Sequence, residues 1–489
     1  MVVLVSALAV ILIPWLWAVL VRLVWRPHTV TRAFARQGVR GPPYRFFLGN
    51  TGEARVMRAA ASGATLDRSS QDIVPLVFLW WRGSMPVLSL GRYDMVKQVL
   101  SDRAAQFVKP VLTPALVAIM GTGLIMVEGA DWARHRRVVA PAFAVDKVKM
   151  MAGAMAACAG EVVRAWAEAA AAAGGEATVE VGRHFRELTA DVISRTAFGS
   201  SYRRGNEAFL VQRELLLVAM TAMDGVCVPG AQYVPTRANV RRWQLERKVR
   251  TTLKGISQSS PMGMGYGTDL LGLMLKGNAA GQSQRRVVMT MDEIIDECKT
   301  FFFAGHETTA HLLTWSMFLL GTHPEWQRRL MDEVLRECGG GAEEAPPLHV
   351  HGDALNLNKL KLVTMPIERQ ATADVELCGV RVPRGTVLLL PFATLHRDEE
   401  AWGEDAGEFN PLRFRDGAGG RAAAAHPSAL MLAFSAGPRS CVGQDMAMLE
   451  AKATLALILR RFTFEVAPGY VHAPAGFLAP EVHIVLKLL

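Results

Sequence analysis

The strongest chemical signature lies near the carboxyl end, in the run Phe434-Ser435-Ala436-Gly437-Pro438-Arg439-Ser440-Cys441-Val442-Gly443. A helical run from Gln444 to Arg460 follows, so Cys441 stands just before a helix amino terminus. The helix dipole and free backbone amides there favour the thiolate, the form that ligates metals, and lower the thiol pKa. Gly437 and Gly443 let the backbone approach a flat cofactor closely. Arg439 offers a planar fork for a carboxylate, and Phe434 an apolar face for a ring system. The alternative is that a lone cysteine in such a place is inert packing.

A second anomaly sits in the longest helical segment. Thr290 followed by Glu293 is a capping-box pattern, and the helix it opens runs to about Gly321. Some 30 residues span about 45 Å, enough to cross a domain, and the middle is apolar on nearly every side. That middle reads Ala304-Gly305-His306-Glu307-Thr308-Thr309. A glycine inside a helix costs about 1 kcal/mol relative to alanine, and a buried carboxylate costs more unless paired. Such violations mark a site; the alternative is a kink in which a threonine hydroxyl bonds back to a carbonyl.

The elements that position these residues are mainly helical. Asp146 to Ala173 carries helical spacing, whereas Met85 to Leu90 and Val380 to Leu390 read as short strands, the latter with a Pro383-Arg384-Gly385 turn. The fold class is therefore mainly α with small β-sheets. No linker or repeat divides the 489 residues, which predicts one large domain over 44–489. Residues 1–21 read as a transmembrane anchor, because Val2 to Val21 is uncharged and matches the roughly 20 residues a membrane helix needs. Arg22, Arg26, Arg32, Arg36 and Arg40 follow it, with Gly41-Pro42-Pro43 as a stiff elbow, so 22–43 reads as a basic, proline-rich hinge. Positive charge after the span places the body in the cytosol. The six cysteines form no C-x-x-C pair and read as reduced thiols. The formal charge of +9 is scattered and forms no nucleic-acid strip, so a membrane surface or an acidic protein partner fits it better.

The cysteine loop resembles the haem-binding loop of cytochromes P450, F-x-x-G-x-R-x-C-x-G, at every fixed position. The resemblance covers essentially the whole chain and implies the cytochrome P450 fold with an N-terminal transmembrane helix. Ala304 to Thr309 resembles the family's oxygen-activation motif, where the helix opens to leave room for dioxygen. Trp132 and Arg136 resemble its W-x-x-x-R pair, and Pro411-Leu412-Arg413-Phe414 its P-x-R-F segment. The start, Arg40 to Tyr44, is similar to the plant microsomal type, in the clan that modifies hormones or hydroxylates fatty acids.

The resemblance implies haem b (iron protoporphyrin IX) with Cys441 as axial ligand. It also implies a monooxygenase that inserts one atom of O2 into a C–H bond of an apolar hormone, fatty acid or terpenoid. Glu307 and Thr308 become the catalytic proton-delivery pair. Trp132, Arg136, Arg369, Phe434, Gly437, Arg439 and Gly443 become cofactor-binding residues, although Arg369 also reads as an exposed surface arginine. The pocket is expected from Gln106 to Glu128, Phe303, Pro366 to Arg369 and the loop near Phe477. No nucleotide-binding glycine motif follows a strand, so electrons are expected from NADPH through a flavoprotein reductase. The implied address is the endoplasmic reticulum membrane, single-pass, catalytic domain in the cytosol.

One family feature is missing. An E-x-x-R helix is expected before the P-x-R-F segment, yet the chain runs from Met365 directly into Pro366-Ile367-Glu368-Arg369, as though some 15 residues were removed. Glu161-Arg164, Glu325-Arg328 and Glu333-Arg336 have the spacing but stand on earlier helices. Without its partners Arg413 would be left buried and unpaired, a cost of about 3–5 kcal/mol. The alternative reading is thus an inactive or haem-free membrane-anchored variant. A third is a haem-thiolate isomerase or dehydratase that needs no external electrons.

Overall fold

The computed structural model describes residues 10, 13–53, 77–110, 114–199, 210–218, 231–259, 269–283, 289–338, 367–414, 432–470 and 481–489. The helices that matter for the site are α1 (Arg26–Ala35), α2 (Pro114–Met120), α3 (Gly129–Val139), α4 (Val145–Ala172), α5 (Val181–Phe198), α6 (Arg237–Ser259), α7 (Leu270–Ser283), α8 (Met291–Thr322), α9 (Pro324–Cys338) and α10 (Gln444–Leu459). Mainly helical architecture with small sheets is what the spacing predicts.

The strands form three sheets among the described residues. A five-stranded sheet has the order β1-β2-β8-β5-β3, from β1 (Val77–Arg82), β2 (Met85–Leu90), β3 (Phe107–Val108), β5 (Ile367–Ala371) and β8 (Val387–Leu390). In β1 only Leu79 and Trp81 turn inward, the alternation of a half-covered strand. Trp81 is fully buried; truncating such a side chain to alanine costs about 3–5 kcal/mol. A three-stranded sheet joins β4 (Glu176–Glu180), β10 (His483–Leu488) and β9 (Phe462–Val466), and β6 (Val375–Leu377) pairs with β7 (Val380–Val382).

Helix α8 is the axis of the molecule. Thr290 and Glu293 form the expected reciprocal capping box, and 32 residues follow without interruption. Phe301 meets Phe143 edge to face at 5.4 Å, in a core that also takes in α4, α5 and α7. The other half of α8 packs Leu313, Met317 and Leu320 against α10 and the three-stranded sheet.

The amino-terminal segment is helical over residues 13–20, passes through a π-helical turn at Val21–Trp25 and continues as α1. The basic stretch expected as a hinge is therefore helical as far as Ala35. Ile13, Trp15, Leu16, Trp17, Leu20 and Trp25 are exposed, whereas Val30 and Phe34 are buried against the sheet. Among the described residues no helix is long and apolar enough to cross a membrane. Residues 1–9, 11 and 12 of the expected anchor lie outside the described residues.

Candidate active site

The cysteine loop is fixed from three sides. The Cys441 amide donates to the Phe434 carbonyl at 2.9 Å, which closes the loop on itself. Arg136 of α3 donates to the Ser440 carbonyl at 3.0 Å. Gly437 has φ +73°, and a Cβ there would lie 2.1 Å from the Leu100 carbonyl oxygen, so only glycine fits. Gly443 is different: the nearest atom to its Cβ would be on the Phe143 ring at an ordinary 3.5 Å. Its neighbours do not demand glycine; a flat group lying on the open side would.

Of the described free cysteines, Cys158 and Cys298 are buried, Cys378 is half-buried and Cys441 is exposed. Burial by the surrounding loop nonetheless pushes the Cys441 thiol above its ordinary value, while the Gly443 amide and Arg136 offset this in part. Cys441 therefore opens onto a recess rather than bulk water. The expected net lowering at the helix terminus is outweighed by this desolvation. A cation at the sulfur would supply the missing countercharge.

A cationic wall stands beside the loop. The Arg439 guanidinium lies over the Trp132 ring at 4.6 Å and donates to the Val127 carbonyl at 2.9 Å and to the Glu128 carboxylate. Arg369, in β5, is buried rather than exposed, and its guanidinium donates to the Glu368 carbonyl at 2.9 Å. Lys109 Nζ stands 3.9 Å from Glu128 Oε1 and donates to the Ile125 carbonyl. Desolvation, reinforced by Arg439 and Arg369, drives the Lys109 ammonium down to about 7 against partial relief from Glu128. Burial also lowers Arg369 and Arg439. Glu128 is the one acid whose charge eases all three. Such an excess of buried positive charge fits a group with an anionic edge.

The acid and alcohol of α8 also face a recess. Thr308 is exposed in the middle of a helix whose flanking turns are buried, and its hydroxyl donates to the Ala304 carbonyl at 2.6 Å. Its proton is thereby committed, which leaves the oxygen free to accept. Burial would raise the Glu307 carboxyl, but His306, whose Nε2 lies 3.2 Å from Glu307 Oε1, with His311 and Arg186, holds it below its ordinary value. The expected opening of the helix takes no visible break: α8 is continuous through 304–309. Gly305 has a packing cause instead, since a Cβ there would lie 2.7 Å from Ile193 Cδ1 of α5. Thr189 of α5 donates to the His306 carbonyl at 3.0 Å, an added bond at the same turn.

Trp132, Arg439, Arg369, Gly437, Gly443 and Cys441 thus come from three chain segments to one region, with Arg136 of α3 bonded to the loop. Phe434 is half-buried and packs beside the α10 core. Sequence spacing does not single out Lys109 or Glu128, because each is a lone charge in a loop and only the fold brings them to Arg439. Of the E-x-x-R candidates, Glu161 reaches across to Arg195 of α5 at 2.9 Å, and Arg328 donates to the Pro324 carbonyl at 3.4 Å. Residues 339–366, where an E-x-x-R helix is expected, and the Arg413 side chain lie outside the described residues, as does the loop near Phe477.

The chain belongs to the cytochrome P450 family, whose match runs over residues 41–478. It is a haem-thiolate monooxygenase by that membership. It is 39% identical over 486 residues to cytochrome P450 709B1 of Arabidopsis thaliana, covering 92% of this chain and 91% of that protein. Against cytochrome P450 734A6 of Oryza sativa subsp. japonica the identity is 38%, covering 92% of this chain and 89% of that protein. Against cytochrome P450 CYP72A616 of Paris polyphylla it is 38%, covering 94% and 91%.

The Lys109 environment gives a signed prediction for the haem-free protein. With the folded value near 7 and the ordinary value 10.5, the unfolded chain holds more protons between those limits, so folding stability rises with pH across that window. Lys109→Met is expected to flatten this rise, to raise the melting temperature at pH 7, and to weaken haem retention. Thermal unfolding of haem-free protein from pH 7 to 10, with haem transfer rates, checks both signs.

Proposed function

We propose that this monooxygenase sits on the endoplasmic reticulum membrane by a single amino-terminal anchor, takes electrons from an NADPH-dependent flavoprotein reductase, and hydroxylates an apolar hormone, fatty acid or terpenoid. The observation that carries the reaction type is Thr308, exposed at the centre of α8 with its proton committed to Ala304 and Glu307 beside it. Cys441 would ligate iron. Arg439, Arg369, Lys109, Trp132 and Arg136 would hold the carboxylate edge of the porphyrin. When bound, the thiolate-ligated haem supplies the oxygen-activating chemistry.

The protein's own part is to place protons and exclude bulk water. Thr308 Oγ1 would accept a hydrogen bond from a water, and Glu307 would take a proton from solvent and hand it to that water. The basic surroundings of Glu307 keep its carboxylate ready to be reloaded. The exposed apolar and indole side chains of residues 13–25 support the membrane reading, since tryptophans favour the bilayer interface. Basic residues beside the cysteine loop would steer an acidic reductase.

The test is a reduced carbon-monoxide difference spectrum of expressed microsomes, then reductase, NADPH and candidate substrates with product analysis. A red-shifted Soret band and NADPH-dependent hydroxylation support the reading. A band without NADPH-dependent turnover points to an isomerase or dehydratase. A second reading, a haem-free or inactive variant, rests on the missing E-x-x-R helix and predicts no band. Thr308→Ala is expected to keep the band and NADPH consumption while releasing most of the electrons as hydrogen peroxide, measured against hydroxylated product. Fully coupled turnover in that variant contradicts the role given to Thr308.

A further inference from the structure

Helix α8 carries a third polar group on the face of its acid and alcohol. At about 100° per residue, Glu307, Thr308 and His311 fall within an arc of about 100°, with His311 between the other two and one turn further on. His311 is 8% exposed, and its Nε2 is buried with no hydrogen-bond partner among the described residues. A buried ring nitrogen left this way carries a desolvation cost that an internal water would remove. The ionisable groups that act on it are Glu307 one turn back, His306 beside that, and Arg186 of the adjoining α5. Burial keeps the ring below its ordinary value, so it is neutral at pH 7, with one nitrogen to give a proton and one to take it.

We propose that His311 is the positioning and relay residue that reloads Glu307 with protons between turnovers, a reading that rests on the monooxygenase function proposed above. Nε2 releases its proton towards the Glu307 carboxylate through a water, while Nδ1 takes one from water on the outer side. A ring turn or a return transfer restores the tautomer. The ring's charge is unchanged, no electrons move, and the net event is one proton passed from solvent to Glu307. Arg186 and His306 keep Glu307 from holding that proton too tightly.

The experiment compares wild-type holoenzyme with His311→Ala, His311→Gln and Glu307→Gln. Both His311 variants should keep the red-shifted carbon-monoxide band and the KM for substrate. They should lose about tenfold in kcat and show a larger solvent deuterium isotope effect. Glutamine fills the space and keeps donor and acceptor atoms but cannot relay, so wild-type kcat in His311→Gln means packing alone and overturns the proposal. A readout independent of turnover is the histidine 15N spectrum of the diamagnetic ferrous carbon-monoxide complex. The resonance absent from His311→Ala should titrate at lower pH in Glu307→Gln, and an unmoved titration overturns the coupling. A wild type with no carbon-monoxide band or no NADPH-driven turnover overturns the underlying function, a different signature from either result.

Discussion

Cys441→Ala protein is expected to show no red-shifted Soret band in the reduced carbon-monoxide spectrum and no detectable hydroxylation, while its haem-free fold stays intact. The two halves of this result have separate causes. The Cys441 hydrogen bond that closes the loop is made by its amide, which alanine keeps. The side chain is exposed to the recess, so its loss changes stability by no more than about 0.5 kcal/mol, as for other substitutions away from packed features. What alanine removes is the soft thiolate donor proposed to ligate the iron. Cys441→Ser tests the same point with a near-isostere whose oxygen is a poor thiolate substitute. A red-shifted band in either variant would move the ligand elsewhere, and a collapsed melting temperature would give Cys441 a structural role the contacts do not show.

Gly437→Ala and Gly443→Ala are expected to fail in opposite ways. At Gly437 a methyl group meets the Leu100 carbonyl at 2.1 Å, and the backbone is held at φ +73°. The left-handed conformation alone costs an L-residue about 1–2 kcal/mol. The clash adds to this because a backbone carbonyl cannot swing aside like a side-chain tip. Gly437→Ala should therefore lower the melting temperature with or without haem. At Gly443 the methyl finds only the Phe143 ring at 3.5 Å, so the haem-free protein should melt like wild type. Its haem affinity is expected to fall, because the added methyl takes up otherwise open space two residues from Cys441. Thermal melts of both variants, loaded and unloaded, separate the effects. Haem-dependent loss at position 437, or haem-independent loss at 443, would reverse the assignment.

Much of this was legible in the residues because it is written locally. Thr290 and Glu293 announce the start of α8 within four positions, and the capping box stands there. The strand over Met85–Leu90 and the turn feeding Val387–Leu390 are equally local signals. Trp132 and Arg439 are both conspicuous in sequence, but their stacking at 4.6 Å depends on how α3 and the cysteine loop meet. Arg369 reads as ambiguous because a charged residue at a strand start is ordinarily exposed; pairing of β5 with β3 and β8 buries it. Gly305 carries an anomaly that sequence assigns to chemistry, whereas Ile193, over a hundred positions earlier in the chain, accounts for it by close helix packing. Long-range electrostatics was illegible for the same reason, since Lys109 has no cationic neighbour in the sequence that would announce its depressed pKa.

The loop's attachment to α3 also sets a timetable for biogenesis. Arg136 and the Ser440 carbonyl are 304 positions apart. At synthesis rates of about 5–20 residues per second, the first half of this clasp waits roughly 15–60 s for the second to leave the ribosome. Pigment cannot be captured by a nascent chain still short of Cys441, so loading follows translation and acts on a nearly complete fold. Cells short of porphyrin should accumulate full-length protein open to proteolysis around the unfilled recess, rather than truncated nascent chains.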